Sequence, residues 1–376
     1  MAYTKHGFKD GDVLYAAQLT AMEDALADHE NRVKKLEQRI AILEAGGITV
    51  TTADQLVSTQ ALDSWKFNLI ATTANTAYSS TAEAAAGFDD ASWRTVSVPH
   101  DWSVELEFNA SSPATYEGGY LDGGDAWYRT TVSVDKQNGR RYVLCFDGVY
   151  MESTVYVNGQ QVHKNYYGYN PFAVDATEQM VSGVNTIAVF VRNEQPSSRW
   201  YSGSGLIRPV ELVTLLDDQI RMENIRVTTP KLDSDLTNGE TVVAFDAVNR
   251  TGAEASATFT VDLYNPDGAK VGTADASAVI AAGETQNVSA TVALANPTLW
   301  DIGAGKLYEA QVSAKAGNRV QKSKRVPYGY RSIRFDKDTG FYLNGIHTKL
   351  KGVCVHHDGG CIGAAENRSA IERQVD

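Results

Sequence analysis

Residues 126–162 read AWYRTTVSVDKQNGRRYVLCFDGVYMESTVYVNGQQV, and their pattern indicates the fold class of the chain. Short runs in which apolar and polar residues alternate occur here and further on: YRTTVSV (128–134), RYVLCFDG (141–148), STVYVNG (153–159) and NTIAVFVRN (185–193). Turn dipeptides such as Asn138-Gly139 and Asn158-Gly159 separate them, and Asn-Gly is a strong hairpin signal. The pattern predicts many short strands, arranged as a β-sandwich or jelly roll.

Length and composition limit the classes of protein. A chain of 376 residues is too long for one ordinary core, which predicts two or three domains. A formal net charge of −12 argues against a nucleic-acid partner, because phosphate binding requires clustered Lys and Arg. Three scattered cysteines, Cys145, Cys354 and Cys361, favour reduced structural thiols over a disulfide framework or a four-ligand zinc site.

No segment of the sequence has the character of a membrane or export signal. The N-terminal segment lacks the apolar core and the small-residue cleavage pattern of a signal peptide. No later segment approaches the ~20 consecutive apolar residues of a membrane helix. We therefore expect no membrane partner and a location in the cytoplasm or on a virion assembled there.

Residues 1–47 carry a heptad pattern. Its core positions follow one another in steps of three and four: Leu19, Met22, Leu26, His29, Val33, Leu36, Ile40 and Leu43. With Leu19 at position a, Arg32 and Glu37 form a pair of opposite charge between parallel chains. The pattern predicts self-association through a parallel coiled coil, dimeric or trimeric. The alternative is one amphipathic helix packed on its own domain, and residues 7–26 resemble the leader of phage tail and baseplate proteins.

Five motifs, in order along the chain, resemble one enzyme family. They are VPHDWSVE (98–105), AWYRTTVSV (126–134), FDGVYMESTVYVNGQQV (146–162), GYNPFAVDAT (168–177) and SSRWYSGSGLIRPVEL (197–212). Together they resemble the N-terminal sugar-binding domain of glycoside hydrolase family 2, the β-galactosidase and β-glucuronidase family. NPTLWDIGAGKLYEAQV (296–312) resembles the end of the family's second domain, and residues 329–365 resemble the entry to its catalytic domain.

The resemblance implies a mainly β chain of four parts. These are a leader and coiled-coil stalk (1–47), a jelly-roll sugar-binding domain (48–219), an immunoglobulin-like sandwich (220–330) and the start of a (β/α)8 TIM-barrel catalytic domain (331–376). In the last part, LKGVCV (350–355) is the expected first barrel strand, and the terminal residues 369–376 begin a helix. Because such a barrel needs about 250 residues, we expect the chain to be the front fragment of a longer protein.

Six residues are candidates for contacting a substrate: His356, His357, Asp358, Arg199, Trp200 and Asp101. The resemblance implies that His356 donates to a sugar hydroxyl from the end of the first barrel strand, with His357 and Asp358 beside it, although a structural role for His356 stays open. Trp200 can stack on a sugar ring or belong to the core. Arg199 stands near the place where the family often has an aspartate. It can bind a sugar or a carboxylate, or form a structural salt bridge.

The remaining candidate, Asp101, can accept hydrogen bonds from sugar hydroxyls or cap a turn. We expect no metal site, because adjacent histidines on a strand point in opposite directions and rarely share one ion. We expect no cofactor either, while the resemblance leaves open a divalent or monovalent cation in a full-length enzyme. Nothing in the sequence orders Cys354 or Cys361 into a nucleophile system.

The predicted function is that of a retaining, β-galactosidase-like hydrolase of terminal O-glycosidic bonds in carbohydrates. A retaining enzyme needs two carboxyl groups ~5 Å apart, and the resemblance places both glutamates on later barrel strands. No residue of this chain is therefore a candidate acid or nucleophile, and we expect no turnover by these 376 residues alone. The alternative is a non-catalytic, oligomeric attachment protein of a phage tail that binds host glycans through multivalency.

Overall fold

A computed structural model of the chain shows the mainly β architecture that the alternating runs predict. The residues it describes are 56–74, 78–216, 220–232, 234–317, 319–323, 325–365 and 368–375. The predicted leader and coiled coil of residues 1–47 lie outside them, so self-association through this stalk stays a prediction. Among the described residues no helix is long and apolar enough to cross a membrane.

The first β-sandwich contains ten strands of the described residues. They are β1 (Leu56–Ala61), β2 (Ser64–Ala71), β3 (Arg94–Ser97), β4 (Gly124–Val134), β5 (Arg140–Phe146), β6 (Glu152–Val157), β7 (Gln160–Asn165), β8 (Phe172–Asp175), β9 (Gly183–Asn193) and β10 (Val210–Leu216). A sheet in the order β1-β10-β5-β8 packs on a sheet in the order β3-β2-β4-β9-β6-β7. In β4, Val132 and Val134 are buried while Thr131 and Ser133 are exposed, so the sequence alternation sends one face into the core.

The predicted turns of this sandwich are confirmed. Asn158 and Gly159 connect β6 to β7 with φ angles of +50° and +84°. A two-residue hairpin turn with positive φ at both positions matches the twist of the strands it joins, and Asn and Gly adopt that conformation most readily. Asn138 and Gly139 likewise lie between β4 and β5.

The tryptophans of the first sandwich divide into two groups. Trp65, Trp93, Trp102 and Trp127 are buried, and the indole N–H of Trp102 donates to a backbone carbonyl oxygen at 2.9 Å. Buried indoles with a satisfied N–H are ordinary core residues. Trp200 differs, because 39% of its surface is exposed. The core interpretation therefore holds for four of these five tryptophans, and Trp200 is the partly exposed one.

The second β-sandwich follows directly. Its strands are β11 (Ile220–Leu232), β12 (Asn238–Asn249), β13 (Ala255–Tyr264), β14 (Lys270–Ile280), β15 (Thr285–Ala295), β16 (Tyr308–Ala316), β17 (Arg319–Lys322) and β18 (Val326–Tyr328). The sheet β11-β12-β15 packs on the sheet β14-β13-β16-β17, in which β18 also pairs with β16. Phe245 and Phe259 meet in the core with ring centroids 5.0 Å apart. The turn at Asn265–Gly268 is closed by a hydrogen bond from the Gly268 N–H to the Asn265 carbonyl oxygen (2.8 Å).

The remaining described residues form a small sheet, a loop and a short helix. Strands β19 (Ile333–Asp336), β20 (Gly340–Leu343) and β21 (Ile346–His347) form a three-stranded sheet, and Asn344-Gly345 makes the turn between β20 and β21. The loop of residues 348–359 leads into a single 3-10 turn at Gly360–Ile362. Helix α1 (Arg368–Val375) then confirms the helix expected near the end of the sequence.

The prediction of a barrel strand at residues 350–355 is wrong. The segment is not a strand, and its side chains are exposed, Val353 to 90%. An apolar run becomes a strand only where a neighbouring strand satisfies its backbone N–H and carbonyl groups, and no described residue pairs with this one. The described part of the chain therefore contains no barrel sheet.

Candidate functional site

Three segments that are distant in sequence meet beside the first sandwich: residues 98–105, 199–206 and 356–364. Backbone hydrogen bonds join the first two. The His100 N–H donates to the Leu206 carbonyl oxygen at 2.7 Å, and the Trp102 N–H donates to the Ser204 carbonyl oxygen at 3.0 Å. This short ladder fixes the VPHDW motif against the loop that carries Trp200.

Asp101 lies at the point where the three segments meet. Its Oδ1 accepts hydrogen bonds from the N–H groups of Ser103 (3.0 Å) and Ser204 (2.9 Å). Its Oδ2 accepts one from the Tyr201 hydroxyl (2.6 Å) and one from the Ala364 N–H (2.8 Å). The residue is 3% exposed, and burial raises the pKa of its carboxyl although all four donors favour the ionised form. Its geometry thus matches the turn-capping alternative, not that of a carboxylate open to a sugar.

Glycines allow this close approach. Gly363 has a φ of +60°, and a Cβ there would overlap the Asp101 carboxylate and the Val104 side chain. Gly203, with a φ of +72°, leaves no room for a Cβ against Ala364. Since Gly has no side chain and tolerates positive φ, these two positions let the third segment dock directly on the carboxylate.

Two histidines of the third segment contact aromatic rings of the first sandwich. The ring centroids of Trp200 and His356 are 5.0 Å apart, and those of Tyr169 and His357 are also 5.0 Å apart. Tyr169 in turn packs on Tyr150 at 4.9 Å. His356, beside Trp200, is exposed, whereas His357, beside Tyr169, is half-buried. In the described part of the chain no cluster of three or more His, Cys, Asp or Glu side chains could hold a metal ion.

The other two candidates lie at the periphery. Asp358 is exposed and accepts a long hydrogen bond from the Gly360 N–H (3.4 Å). Burial, together with the carboxylates of Asp101 and Asp358, raises the pKa of Tyr201 well above its ordinary value, so this hydroxyl remains a donor. Arg199 is exposed, and within the described residues no hydrogen bond or ion pair engages its guanidinium.

Sequence reasoning missed Tyr169 and Tyr201, which complete the cluster. Both lie inside motifs that were identified, Tyr169 in GYNPF and Tyr201 directly after Trp200. The available signal was their position beside a candidate residue, since a tyrosine in a β protein is otherwise more often a core residue.

A second missed group is the polar cluster around His100, in which His100 and Tyr128 are buried while Glu105 and Arg94 are exposed. Its Nδ1 lies 2.7 Å from the Tyr128 hydroxyl, and its Nε2 lies 3.2 Å from a carboxylate oxygen of Glu105. Burial lowers the pKa of His100, although the Glu105 carboxylate acts in the opposite direction. Arg94 also pairs with Glu105. This cluster connects the VPHDW motif to Tyr128 of β4 and, through Glu105, to Arg94 of β3.

The two sandwiches match two domains of one enzyme family. Residues 60–216 match the family described as "Glycosyl hydrolases family 2, sugar binding domain", and residues 220–331 match "Glycosyl hydrolases family 2". The chain is 37% identical over 292 residues to a β-galactosidase of Bacteroides ovatus, covering 77% of this chain and 34% of the relative. It is 36% identical over 279 residues to a putative β-glucuronidase of Formosa agariphila, covering 74% of this chain and 26% of the relative.

Solved structures show the same likeness. A glycosyl hydrolase family 2 member from Bacteroides cellulosilyticus superposes with a TM-score of 0.69 and 29% identity, over 85% of this chain and 41% of that structure. A β-glucuronidase of Bacteroides uniformis superposes with a TM-score of 0.69 and 26% identity, over 84% and 37%. The chain thus spans about a third of the length of the curated relatives it matches.

Proposed function

Because the chain carries two domains of glycosyl hydrolase family 2 and so belongs to that family, we propose that it is the front part of a retaining hydrolase of terminal β-galactosides. In this proposal the first sandwich is the jelly-roll sugar-binding domain, and the second is an immunoglobulin-like spacer. The acid and nucleophile glutamates lie outside these 376 residues. The β-galactosidase of Bacteroides ovatus, 37% identical over 77% of this chain, supports galactose as the sugar.

The observation that carries the proposal is the exposed Trp200 ring beside His356, with centroids 5.0 Å apart. An exposed indole face offers an apolar surface for the C–H side of a sugar ring. A neighbouring imidazole both donates and accepts hydrogen bonds, which suits sugar hydroxyls. An apolar platform with a few polar groups at its edge is the usual design of a small-molecule site.

The residues of this chain bind and orient the sugar in the proposed mechanism. Trp200 holds the ring face, and His356 fixes one hydroxyl. Retention requires a carboxylic acid to protonate the leaving oxygen and a carboxylate ~5 Å away to attack the anomeric carbon. Orienting the terminal sugar between those groups lowers the entropic cost of reaching the transition state.

Arg199 favours a second candidate substrate. Its guanidinium is exposed directly before Trp200 and, among the described residues, has no hydrogen-bond or ion-pair partner. A guanidinium binds a carboxylate through two parallel hydrogen bonds, so it suits the carboxylate of a β-glucuronide. The putative β-glucuronidase of Formosa agariphila is nearly as similar to this chain as the β-galactosidase.

Two monosaccharide ligands that differ in the configuration at C4 and in the carboxylate at C6 test the proposal. Methyl β-D-galactoside and methyl β-D-glucuronide are titrated into the 376-residue chain, with binding followed by saturation-transfer NMR. We expect the galactoside to bind, and Trp200→Ala to weaken binding at least tenfold. Phe335→Ala, which removes an exposed aromatic ring of β19, is the control and leaves binding unchanged.

The outcomes separate the candidates. Tighter binding of the glucuronide that is lost in Arg199→Ala would favour the second substrate, and no binding of either sugar would contradict the proposed site. The placement of the glutamates is tested separately with a nitrophenyl β-galactoside. We expect no hydrolysis by the purified chain above the buffer rate, and clear turnover would contradict that placement.

A further inference from the structure

The histidine segment returns to the first sandwich after the chain has passed through the second. Residues 348–359 have no regular secondary structure, and Val353 is 90% exposed. This loop therefore has little internal structure that could fix the positions of His356 and His357. A contact beyond residue 359 is therefore needed to hold this loop against the first sandwich.

The Asp101 carboxylate is placed to do this. Oδ1 is used within the first sandwich, by the N–H groups of Ser103 and Ser204. Oδ2 faces outward to the Tyr201 hydroxyl and to the Ala364 N–H, a residue 263 positions later in the chain. Oδ1 thus fixes the Asp101 side chain within the first sandwich, and Oδ2 binds residue 364 of the third segment.

Packing at the same point is tight. Ala364 is buried, and both Gly363 and Gly203 lack room for a Cβ. Ala364 belongs to a small buried cluster with Tyr150 and Ile207, against which Tyr169 and Tyr201 also pack. Residues 363–364 therefore pack closely on the first sandwich, and the hydrogen bond from the Ala364 N–H to Asp101 lies within this contact.

We infer that Asp101 is a positioning residue that latches residues 356–364 onto the first sandwich and so holds His356 against Trp200 and His357 against Tyr169. The latch itself is independent of any ligand. Its meaning for sugar binding rests on the proposed function, because it would set the distance between the histidines and the aromatic platform.

Asp101→Asn tests the latch at nearly constant shape. An amide presents one acceptor oxygen and one NH2 donor, whereas the carboxylate faces four donors. In one orientation the amide NH2 would face the N–H groups of Ser103 and Ser204, and in the other it would face the Ala364 N–H, where only the Tyr201 hydroxyl can turn to accept. The matched control is Asp89→Asn, which makes the same change in an exposed turn where Asp89 accepts from the Ala91 N–H (3.1 Å).

Two readouts are measured on the 376-residue chain. The first is amide hydrogen exchange of residues 359–365, which includes the Ala364 N–H. The second is the NMR shifts of the His356 and His357 ring protons in histidine-labelled protein, because the adjacent Trp200 and Tyr169 rings displace them from exposed-histidine values. A role limited to general stability would lower the melting temperature without moving these shifts.

We expect Asp101→Asn to speed exchange of residues 359–365 at least tenfold and to return both histidines to exposed values, while peptides of β4 and β9 keep their protection. Gly363→Ala should do the same while leaving the bonds to Ser103 and Ser204 intact, so it decides the matter if Asp101→Asn does not fold. Unchanged exchange and shifts in the folded variants, or equal changes in Asp89→Asn, would overturn the inference. No sugar is present, so failure of the latch and failure of the proposed function remain distinct.

Discussion

The two sandwiches share antiparallel sheets and an aromatic core, but they use their buried polar groups differently. In the second sandwich, the Thr241 hydroxyl bonds to the hydroxyls of Tyr328 and Tyr330, and all three side chains come from the sandwich or its last residues. In the first sandwich, the buried Asp101 reaches Ala364, which follows the second sandwich in the chain. The polar cluster of the second sandwich joins residues within that domain. The polar cluster around Asp101 instead joins segments that are distant in sequence, and the candidate site lies beside it.

The largest expected effect on stability tests whether the second sandwich unfolds independently of the first. Phe259→Ala removes a fully buried ring and should lower the free energy of unfolding of that sandwich by about 3–5 kcal/mol, through lost burial and a cavity. Urea unfolding, with pulsed hydrogen exchange read separately for each sandwich, measures it. Val279→Ala, at a residue 59% exposed on β14, is the control and should change stability by less than about 0.5 kcal/mol. Equal destabilisation of the first sandwich would show that the two do not unfold separately.

One glycine in each sandwich adopts a positive φ, and the two differ in the space around them. Gly205 has a φ of +126°, and a Cβ there would overlap the Tyr128 hydroxyl and approach the His100 carbonyl oxygen. Gly205→Ala should therefore cost roughly 2–4 kcal/mol, from backbone strain and overpacking together. Gly283→Ala in the second sandwich has a φ of +75° and nothing within 4 Å, so strain alone should cost about 1–2 kcal/mol. Thermal unfolding of both variants measures the difference in destabilisation. Equal destabilisation would contradict the claim that overlap with neighbouring atoms adds to the cost at Gly205.

The response to pH should differ between the sandwiches. Burial lowers the pKa of His100 and of His163 below the ordinary 6.5, and residues 220–330 contain no histidine. Below pH 6.5 the unfolded chain binds protons that the folded chain excludes, so this stability is complete above pH 6.5 and is lost as the pH falls. Each histidine can contribute a slope of at most about 1.4 kcal/mol per pH unit.

Unfolding measured between pH 7.5 and 5.5 checks this expectation. The first sandwich should lose stability over that range while the second changes little. His100→Gln should reduce the slope for the first sandwich, and His163→Gln gives the comparison at a half-buried site on β7. A slope that is the same in both sandwiches would contradict the assignment to these histidines.

Much of the fold could be predicted because its signals are local. Alternation along β4 and the Asn158-Gly159 turn depend only on neighbouring residues, and both are confirmed. The run at residues 350–355 has the same apolar character and is not a strand, because the strand state depends on a partner that a short window of sequence does not contain. Apolar sequence patterns therefore predicted strands correctly only where the fold supplies a neighbouring strand for pairing.

The candidate site was only partly predictable for the same reason. Trp200 could be selected by residue type and His356 by the family resemblance of its segment, and the structure brings their rings together. The hydrogen bond from Ala364 to Asp101 could not, because it joins positions 263 residues apart and one partner is a backbone N–H, which every residue except proline carries. The proposed positioning role of Asp101 needs its carboxylate, but residue type alone does not reveal which segments the fold brings to it.

The smallest expected effect on stability is at the residue most important for the proposed binding. Trp200→Ala should change the free energy of unfolding by less than about 0.5 kcal/mol, because 39% of the side chain is already exposed and it lies outside the main hydrophobic core. The same substitution at Trp102, a buried core residue, should cost about 3–5 kcal/mol. Urea unfolding of both variants provides the comparison. A large loss at Trp200 would mean that its ring is structural, and the weakened sugar binding of Trp200→Ala would then no longer indicate a direct contact.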